Sequence, residues 1–393
     1  MSRLLAPSPE MRATAPELTG ALEPVYVAET EAERQAVFAF RYTVYATELG
    51  RKLGNADHGQ QVLYDDEDDK PYTTLLYTED GAGGLTGTLR IRAWEPGAVP
   101  HKDWEAFSME RFDGVDGMRA AEIGRLMIER GHRGQLGLLS MSCAVYQLCA
   151  ARGVDVAFIN CATGLVRHYR LLGFRTYAGR LVPTPDGIEV PLVLIPSDRA
   201  FLEQAGAFIA PFADLFYGTD PGKRRPADIG RWSRLLDADS APVRFDAAAV
   251  RERIGRLRET AREHPSMLEG LSEETVGKLS EKGFLMTVSA GQLLTEKGLT
   301  QREIFVILDG AFEVHDGDRR VCVLGQGDVI GEVGFFGSSG RRTASVTAAS
   351  DGQVLVLRRR FVDELMKNDP GCAAEVLFGL ARVLADRQYA PAS

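Results

Sequence analysis

Hydrophobic residues follow two different spacings along the first half of the chain. At 31–49 and 138–152 they recur every three or four positions, which predicts two amphipathic helices, and a third helix is predicted over 164–172. Shorter apolar or alternating runs predict strands at 25–28, 73–78, 85–94, 121–128, 154–160 and 190–195. Strands mixed with helices in this way favour an α+β fold with a mixed central sheet flanked by helices.

A different pattern separates this half from the rest of the chain. Phenylalanines recur at near-helical spacing at 201, 208, 212 and 216 and a basic stretch follows, so residues 199–266 are predicted to be a linker with helical segments. The beginning of the chain is rich in Pro, Ala and Ser, which predicts a flexible tail over 1–22. Because 393 residues are too many for one ordinary core, we expect two domains, at 23–198 and 267–393.

Composition narrows the range of partners and compartments. A formal net charge of −9 and a pI near 5.4 argue against nucleic acid as the main partner. The five cysteines are scattered without a Cys-x-x-Cys pair, so the sequence signals no metal site and no disulfide framework. Reduced thiols and the lack of a signal peptide or an apolar transmembrane stretch predict a cytoplasmic protein.

The stretch at 331–346, GEVGFFGSSGRRTASV, carries the clearest chemical signal. Its glycines let several backbone N–H groups converge on one point, which is the geometry of an anion site. Arg342 adds a permanently charged fork that suits a phosphate, and Arg341 lies close enough to be the ligand instead. Glu332 would repel a phosphate, so it is better suited to accept a hydrogen bond from a sugar hydroxyl.

This arrangement resembles the phosphate-binding cassette of cyclic nucleotide-binding domains, in which a Gly-Glu pair precedes an Arg followed by small residues. The resemblance covers about the last third of the chain and implies a β jelly-roll barrel with flanking helices that binds cAMP or cGMP. The contacts it implies are Gly331, Glu332, Val333, Arg341, Arg342, Thr343 and Ala344. Thr343 is compatible with either base, and a barrel with an empty pocket is the alternative.

A second anion site is predicted where a strand leads through a glycine-rich turn into a helix. Backbone amides at a helix N-terminus favour an anion, which suits the pyrophosphate or phosphopantetheine phosphate of an acyl donor. The predicted donor contacts are Met127, Ile128, Glu129, Arg130, His132, Arg133, Gly134, Gln135, Leu136 and Gly137. With Tyr169 and the Gly-Phe pair at 173–174, this segment resembles the GNAT acyltransferase superfamily, in which acyl-coenzyme A lies between splayed strands.

The first half also resembles the acyl-homoserine-lactone synthases and related N-acyl amino acid synthases. The matching segments are FRYTVY at 40–45, the acidic run DDEDD at 65–69, GTLR at 87–90 and EIGR at 122–125. The resemblance implies an acyl donor that is either acyl-coenzyme A or acyl-acyl carrier protein, and a small amine as the acceptor. Arg41, Arg90 and Arg125 are then candidates to bind the acceptor's carboxylate as forked clamps.

Such a transfer needs a base for the amine and an acid for the leaving thiolate. Glu122 is the candidate base and Tyr169 the candidate acid, while amides at 127–129 can hold the thioester oxygen. Each feature also has a plainer interpretation. Glu122 can be part of a structural ion pair, Tyr169 a packing residue and the acidic run a solvated loop rather than part of an acceptor site.

These patterns lead to the hypothesis of an N-acyltransferase that is allosterically regulated by cAMP or cGMP. One alternative is a protein-lysine acyltransferase under the same control. Another is a non-catalytic sensor of acyl thioester and nucleotide, since the turn at 133–137 departs from the usual GNAT spacing. The sequence specifies neither the acyl chain length, nor the direction of regulation, nor the oligomeric state.

Overall fold

The computed structural model describes residues 3–4, 9–48, 56–132, 135–162, 165–184, 187–213, 229–236, 242–259, 266–298 and 301–389. The chain divides into two compact units. The first comprises Met1–Cys161, Leu165–Arg175 and Pro191–Leu236, and the second comprises Ala162–Gly164, Thr176–Val190 and Asp237–Ser393.

The first half of the chain forms a mixed sheet flanked by helices, as predicted. Its strands are β1 (Arg3–Leu4), β2 (Tyr26–Val27), β3 (Ala56–Asp57), β4 (Val62–Leu63), β5 (Thr73–Glu79), β6 (Leu85–Trp94), β7 (Ala120–Ile128), β8 (Val156–Ala162), β9 (Arg175–Thr176), β10 (Val182–Thr184) and β11 (Gly187–Leu194). Its helices are α1 (Pro9–Thr14), α2 (Pro16–Gly20), α3 (Glu31–Tyr42), α4 (His101–Ala106), α5 (Gln135–Arg152), α6 (Val166–Leu171) and α7 (Arg199–Gln204). Nine of these strands form one sheet in the order β1-β2-β5-β6-β7-β8-β11-β10, with β9 paired to β11, whereas β3 and β4 form a separate two-stranded sheet.

Helix α3 begins where the sequence supplies a complete cap. The Thr30 hydroxyl accepts a hydrogen bond from the Glu33 amide at 3.3 Å, and the Glu33 carboxylate accepts one from the Thr30 amide at 2.8 Å. On its apolar face Phe38 packs into the cluster that β5 contributes to. The helix predicted over 31–49 is therefore present as α3 followed by a π-helical turn at Thr43–Glu48.

The central strands separate at one end of the sheet. Strands β7 and β8 are parallel and pair over 120–122 against 156–158, whereas β7 continues to Ile128 and β8 to Ala162. Between Gly124 and Met127 of β7, the register with β6 shifts. Arg125, within this segment, has a φ of 53°, which is uncommon for a residue other than glycine. A β-bulge therefore turns β7 just after the segment that pairs with β8.

Residues 9–20, within the segment that composition predicts to be a flexible tail, form α1 and α2. Met11 is fully buried, and its sulfur accepts a hydrogen bond from Gln147 Nε2 of α5 at 3.0 Å. Burial of this apolar side chain stabilises a segment whose composition alone is typical of a tail.

The second half of the chain forms two antiparallel sheets with helices around them. Its strands are β12 (Val243–Arg244), β13 (Phe284–Val288), β14 (Leu293–Thr295), β15 (Glu303–Asp309), β16 (Phe312–Asp316), β17 (Arg319–Leu324), β18 (Val329–Ile330), β19 (Ser345–Ala348) and β20 (Gly352–Arg358). Its helices are α8 (Ala247–Glu259), α9 (Glu273–Lys282), α10 (Glu332–Phe336), α11 (Arg359–Asn368) and α12 (Pro370–Tyr389). The sheet orders are β12-β13-β20-β15-β18 and β14-β19-β16-β17, the paired sheets of a jelly roll.

One core joins these helices to the five-stranded sheet. Ile254 of α8, Leu279 of α9 and Leu380 of α12 are buried in the same cluster as Val306 of β15 and Leu355 of β20. The helices therefore form a layer on one sheet, and the short helix α10 follows directly from β18.

The predicted linker over 199–266 contains α7, β12, α8 and two short 3₁₀ turns, Ala210–Phe212 and Ile229–Trp232. Phe212 and Trp232 are buried, whereas Phe216 and the basic stretch at 223–225 lie outside the described residues. In the described part of the chain, no helix combines the length and apolar character that crossing a membrane requires.

Candidate functional site

The acidic run at 65–69 is folded into the protein rather than exposed along its length. Asp68 is fully buried, and both of its carboxylate oxygens accept hydrogen bonds from Arg41 Nη1, at 3.0 and 2.9 Å. Arg41 is also fully buried, and this burial lowers the pKa of its guanidinium even though Asp68 opposes the effect. The Arg41 guanidinium and the Asp68 carboxylate neutralise each other inside the protein, as buried charges require. Asp68 is therefore not part of a solvated loop.

Asp65 connects Arg90 and Arg125, the other two arginines predicted to bind the carboxylate of the acceptor substrate. Arg90 Nη1 donates to its carboxylate at 2.7 and 2.9 Å, and Arg125 Nη2 donates to it at 2.6 Å. Burial alone would raise the pKa of Asp65, but the two arginines outweigh that effect and lower it. The side chains of Arg41, Arg90 and Arg125 are 1%, 7% and 25% exposed. The structure thus gathers the three arginines around two aspartates and leaves Arg125 the most accessible.

Glu122 lies at the point where β7 and β8 separate. Its Oε2 accepts a hydrogen bond from Arg92 Nε at 2.9 Å, and Arg90 Nε lies 3.8 Å from the same oxygen. Its Oε1 has no hydrogen-bond partner in the described part of the chain, and it lies over Gly124, where a Cβ atom would be only 2.2 Å away. The carboxylate is thus fixed through one oxygen and unengaged at the other, which suits a proton acceptor.

Arg92 and Asp103 complete the surroundings of Glu122, and neither was among the site residues predicted from the sequence. Arg92 stands directly opposite Glu122 in the β6–β7 register. Its Nη1 and Nη2 donate to Asp103 at 2.9 and 2.6 Å. Burial would lower the pKa of Arg92, but the carboxylates of Glu122 and Asp103 outweigh burial and raise it. A signal was available in the Arg-Ile-Arg spacing at 90–92, because residues two apart on a strand share one face.

The end of β7 contributes backbone groups to the predicted donor site. Met127 is buried, and the Glu129 amide donates to the Thr86 carbonyl at 2.9 Å. Along an antiparallel pair, successive backbone amides point alternately toward the partner strand and away from it. Because the Glu129 amide points toward β6, the Ile128 amide points the other way within the sheet, in the direction of β8. His132 Nδ1 lies 2.8 Å from the Glu129 carboxylate.

The start of α5 forms the other part of that site. Arg130 belongs to a short 3₁₀ turn, Arg130–His132, and α5 begins at Gln135, followed by the exposed Leu136. A Cβ at Gly137 would lie 3.4 Å from Glu23 Oε2, so a carboxylate already lies near this helix end. Two of the predicted contacts, Arg133 and Gly134, lie outside the described residues.

Tyr169 on α6 borders a small apolar cavity of about 20 Å³ that Leu89, Ile123 and Val145 also line. Its side chain is mostly buried, and its ring packs edge-to-face on Phe174 with a centroid distance of 5.7 Å. Ile123 and Glu122 are successive strand residues and face opposite sides of β7. Tyr169 therefore approaches β7 from the side opposite to Glu122.

The second unit contains a cavity of about 180 Å³ formed by the predicted cassette. Six of the predicted nucleotide contacts line it: Gly331, Glu332, Val333, Arg342, Thr343 and Ala344. Gly331 has a φ of 90° and precedes the first amides of α10, which have no partner within their own helix. Arg341 is exposed and lies outside the lining, and its amide donates to Ser339 Oγ at 3.2 Å.

Arg342 is buried under this cavity with neutral partners. It donates to the carbonyls of Gly331 and Glu303, both at 2.7 Å, and to Gln301 Oε1 at 2.9 Å. Across the described residues, no carboxylate lies within ion-pair distance of its guanidinium. Burial lowers the pKa of Arg342 to about 10, although the charges of Glu303 and Glu332 act against this. The group is still a cation at neutral pH, and two of its five N–H donors are left for a ligand.

Family models match both halves of the chain. Residues 36–198 match the model described as N-acyl amino acid synthase FeeM, and residues 285–369 match the cyclic nucleotide-binding domain. The chain carries an N-acyltransferase domain of the N-acyl amino acid synthase family and a cyclic nucleotide-binding domain. The predicted resemblances to N-acyl amino acid synthases and to cyclic nucleotide-binding domains are thereby confirmed. The N-acyltransferase match includes Arg41, Arg90, Glu122 and Arg125, and the other match includes the whole cassette.

Solved structures similar to the chain include a cyclic nucleotide-binding domain from Methylobacillus flagellatus KT. It has 21% identity and a TM-score of 0.31, over 36% of this chain and 79% of that chain. The N-terminal domain of a transcriptional regulator from Streptomyces coelicolor A3(2) has 24% identity and a TM-score of 0.29, over 34% and 95% of the two chains. The Thermus thermophilus catabolite activator protein has 26% identity and a TM-score of 0.27, over 31% and 57%. No curated protein matches the chain.

Proposed function

We propose that the protein transfers an acyl group from an acyl-coenzyme A or acyl-acyl carrier protein thioester to the amine of a small amino-acid-like acceptor. We propose further that cAMP or cGMP, bound by the cyclic nucleotide-binding domain, regulates this reaction. The observation that carries the proposal is the position of Glu122. Its carboxylate stands where two parallel strands separate, with an unengaged oxygen and with cationic side chains beside it. Such a gap can hold a thioester next to the base.

In the proposed reaction the acceptor nitrogen attacks the thioester carbonyl carbon and the C–S bond breaks. Glu122 takes the proton that the amine loses. A backbone amide at 127–129, the end of β7, donates to the carbonyl oxygen as that oxygen gains negative charge. Tyr169 gives its proton to the leaving thiolate. Glu122 and Tyr169 approach β7 from opposite faces, so a thioester in the gap would lie between base and acid.

For the acceptor's carboxylate we propose Arg125 as the main ligand. Arg41 and Arg90 are buried and held by Asp68 and Asp65, whereas the Arg125 side chain is 25% exposed and makes one hydrogen bond to Asp65. A guanidinium with remaining donors can take a carboxylate in a forked contact. Arg41 and Arg90 would then hold the acidic run in place.

For the nucleotide we propose that Arg342 binds the cyclic phosphate and that Glu332 accepts a hydrogen bond from the ribose. Arg342 is a buried cation whose hydrogen-bond partners are neutral, and a phosphate would supply its missing counter-charge. Regulation then requires that the nucleotide bind one conformation of the chain more tightly than another, because a ligand shifts an equilibrium only through such a difference.

Product analysis of the full-length protein tests this proposal. The protein is incubated with dodecanoyl-coenzyme A or dodecanoyl-acyl carrier protein, together with a mixture of amino acids or a lysine-containing peptide. We expect N-acyl amino acids by mass spectrometry and one free thiol for each product formed. The Glu122→Gln variant should lose roughly 10²- to 10⁴-fold in kcat. Absence of product with both donors, or full activity of Glu122→Gln, would contradict the proposal. Acylation of the peptide alone would favour a protein-lysine acceptor.

A further inference from the structure

We infer that Arg92 and Asp103 form a positioning unit that holds the Glu122 carboxylate in its reactive orientation. This inference rests on the proposed role of Glu122 as the base. Neither residue is expected to touch the substrate, since Asp103 acts through Arg92 and Arg92 acts through Glu122. We call these two residues the Glu122 clamp.

The geometry of the clamp is that of a two-sided fork. One edge of the Arg92 guanidinium takes both oxygens of Asp103, through Nη1 at 2.9 Å and Nη2 at 2.6 Å. The remaining Nε donor points to Glu122 Oε2 at 2.9 Å. A guanidinium is planar, so fixing one edge on a carboxylate also fixes the direction of the Nε donor. Asp103 thus determines where Arg92 presents its hydrogen bond to Glu122.

The clamp is rigid because its parts are buried and supported from several elements. Arg92 and Asp103 are only 4% and 6% exposed. The Arg92 guanidinium also lies 5.0 Å from the ring centroid of Trp94, within the range of a cation–π contact. Asp103 sits on α4, where its amide donates to the Pro100 carbonyl at 3.0 Å. Neither member of the clamp can rotate freely without losing buried hydrogen bonds.

The carboxylates around Arg92 do not share its hydrogen bonds equally, and this division suits the role of Glu122 as a base. Three carboxylates contact this one guanidinium, those of Asp103, Glu67 and Glu122. Glu67 has a second cationic partner, Lys102, at 2.5 Å, and Asp103 takes two of the four hydrogen bonds. Glu122 receives a single bond on one oxygen, so it is oriented by Arg92 without being its main counter-ion. An exclusive, two-bonded ion pair would instead occupy both oxygens of the base.

The absence of a side chain at Gly124 supports the same orientation from the other side. A Cβ atom at Gly124 would lie only 2.2 Å from Glu122 Oε1, so any other residue would push this oxygen away. The carboxylate is therefore directed along β7 toward the bulge, with Arg92 on one oxygen and open backbone under the other. Displacing a catalytic group by about 1 Å can cost roughly 100-fold in rate, so holding it in this way has a direct kinetic consequence.

Steady-state kinetics of Asp103→Asn and Arg92→Lys in the full-length protein test the inference. Dodecanoyl-coenzyme A or dodecanoyl-acyl carrier protein serves as the donor and the best amino acid found in the product analysis as the acceptor. We expect kcat to fall roughly tenfold for Asp103→Asn and further for Arg92→Lys, with the KM of each substrate changed less than about twofold. Unchanged kcat in Asp103→Asn, or a rise in KM that accounts for the whole loss, would overturn the inference.

A matched control comes from the same pair of strands. Glu95 follows β6 and forms an exposed ion pair with Arg119, which precedes β7, at 2.8 Å. The Glu95→Gln variant removes an arginine–carboxylate pair between these strands without touching Glu122, and its kcat should equal that of the wild type. Melting temperature and nucleotide affinity are measured for every variant, so that a general loss of folding is recognised as such.

A double variant separates a positioning role from a merely structural one. If Asp103 acts through Glu122, then adding Asp103→Asn to Glu122→Gln should cost no further activity, because there is no longer a base to position. An additional tenfold loss in that background would overturn the positioning role and leave the proposed function intact. Full activity of Glu122→Gln alone would instead remove both. If Glu122→Gln has no measurable activity, the kcat and KM of the single variants decide the matter.

Discussion

The two domains of this protein both depend on buried arginines, but they balance those charges in opposite ways. In the N-acyltransferase domain, Arg41, Arg90 and Arg92 are each paired with carboxylates of the same domain. In the cyclic nucleotide-binding domain, Arg342 is equally buried, yet its hydrogen bonds end on two carbonyls and one amide oxygen. The first domain therefore supplies counter-ions to its buried arginines, whereas among the described residues of the second no carboxylate forms an ion pair with Arg342.

This difference indicates what each site requires from its ligand. A buried cation with neutral partners is stabilised most by an anion that enters the site, which is the role of a cyclic phosphate. Arg41, Arg90 and Arg92 already hold carboxylates and gain little from a further anion, so they serve instead to fix the shape of a polar site. The first site should thus depend on geometry and the second on charge.

Gly331→Ala should have the largest effect on the charge-dependent site. A Cβ at this position would lie 1.9 Å from Arg342 Nη1, and the backbone φ of 90° is unfavourable for alanine. We expect nucleotide affinity to fall by more than about 100-fold in isothermal titration calorimetry, because Arg342 must leave its position. Gly298→Ala is the matched control, since Gly298 has the same φ of 90° and nothing within 4 Å of its Cβ position. Equal losses in the two variants would show that backbone strain, rather than displacement of Arg342, is responsible.

Replacing Arg342 by lysine keeps the charge but removes the planar fork. Lysine cannot hold the Gly331 and Glu303 carbonyls and a phosphate at once, so we expect affinity for cAMP and cGMP to fall roughly 10- to 100-fold. The exposed neighbour Arg341, changed to lysine, should alter affinity by less than about twofold. If Arg341→Lys has the larger effect, then Arg341 is the phosphate ligand. Arg342 would then not be the buried cation that binds the nucleotide, and the proposed difference between the domains would fail.

Arg125→Lys should produce a smaller and purely binding effect in the N-acyltransferase domain. Loss of a forked contact with the acceptor's carboxylate is expected to raise the KM of the acceptor about tenfold and to leave the KM of the donor unchanged. Arg119→Lys, at an exposed surface pair, is the control and should change neither value. An unaltered acceptor KM in Arg125→Lys would mean that no acceptor carboxylate binds there.

The smallest effect concerns pH and the carboxylates that pair with cationic side chains in the first site. Partial burial acts to raise the pKa of Glu67, but hydrogen bonds from Lys102, Tyr72 and Arg92 outweigh it and lower the pKa to about 2. Relative to its ordinary value of 4.5, this carboxyl therefore stabilises the fold fully above pH 4.5 and loses that contribution as pH falls toward 2. The free energy of unfolding should fall with acidification, and less steeply in Glu67→Gln.

Tryptophan fluorescence measures this effect in the correct domain. All three tryptophans, Trp94, Trp104 and Trp232, belong to the first unit. Urea unfolding followed by their emission, from neutral pH to about pH 3, should give a slope that Glu67→Gln reduces by at most about 1.4 kcal/mol per pH unit. Identical slopes in the two proteins would show that Glu67 is not held by its partners in solution.

The sequence was most informative where the residues of one site lie close together along the chain. Gly331, Glu332 and Arg342 lie within a dozen positions, so their spacing predicted a shared pocket before any fold was known, and the structure places all three on one cavity. Glu122 and Arg125 belong to one short strand segment, and the resemblance of EIGR at 122–125 to a family motif made them candidates together. Such groups are predictable because a turn or a strand fixes their relative positions directly.

Other features depend on contacts between distant segments and could not be predicted in the same way. The pairing of Arg92 with Glu122 needs the β6–β7 register, and Asp103 joins them from a separate helix. The burial of Asp68 depends on Arg41 of α3, so one member of an acidic run that composition assigns to solvent instead lies inside the domain. Met11 is a similar case, since only its packing on α5 distinguishes its segment from a tail.

We propose that a nucleotide held by Arg342 controls acyl transfer at Glu122. The most direct test of this proposal is the steady-state rate of acyl transfer by the full-length protein, with and without saturating cAMP or cGMP, in the wild type and in Arg342→Lys. We expect a several-fold change in the wild-type rate with at least one nucleotide, and no change in the variant at the same concentration. A wild-type rate that stays constant while calorimetry shows the nucleotide bound, or an equal response in Arg342→Lys, would contradict it.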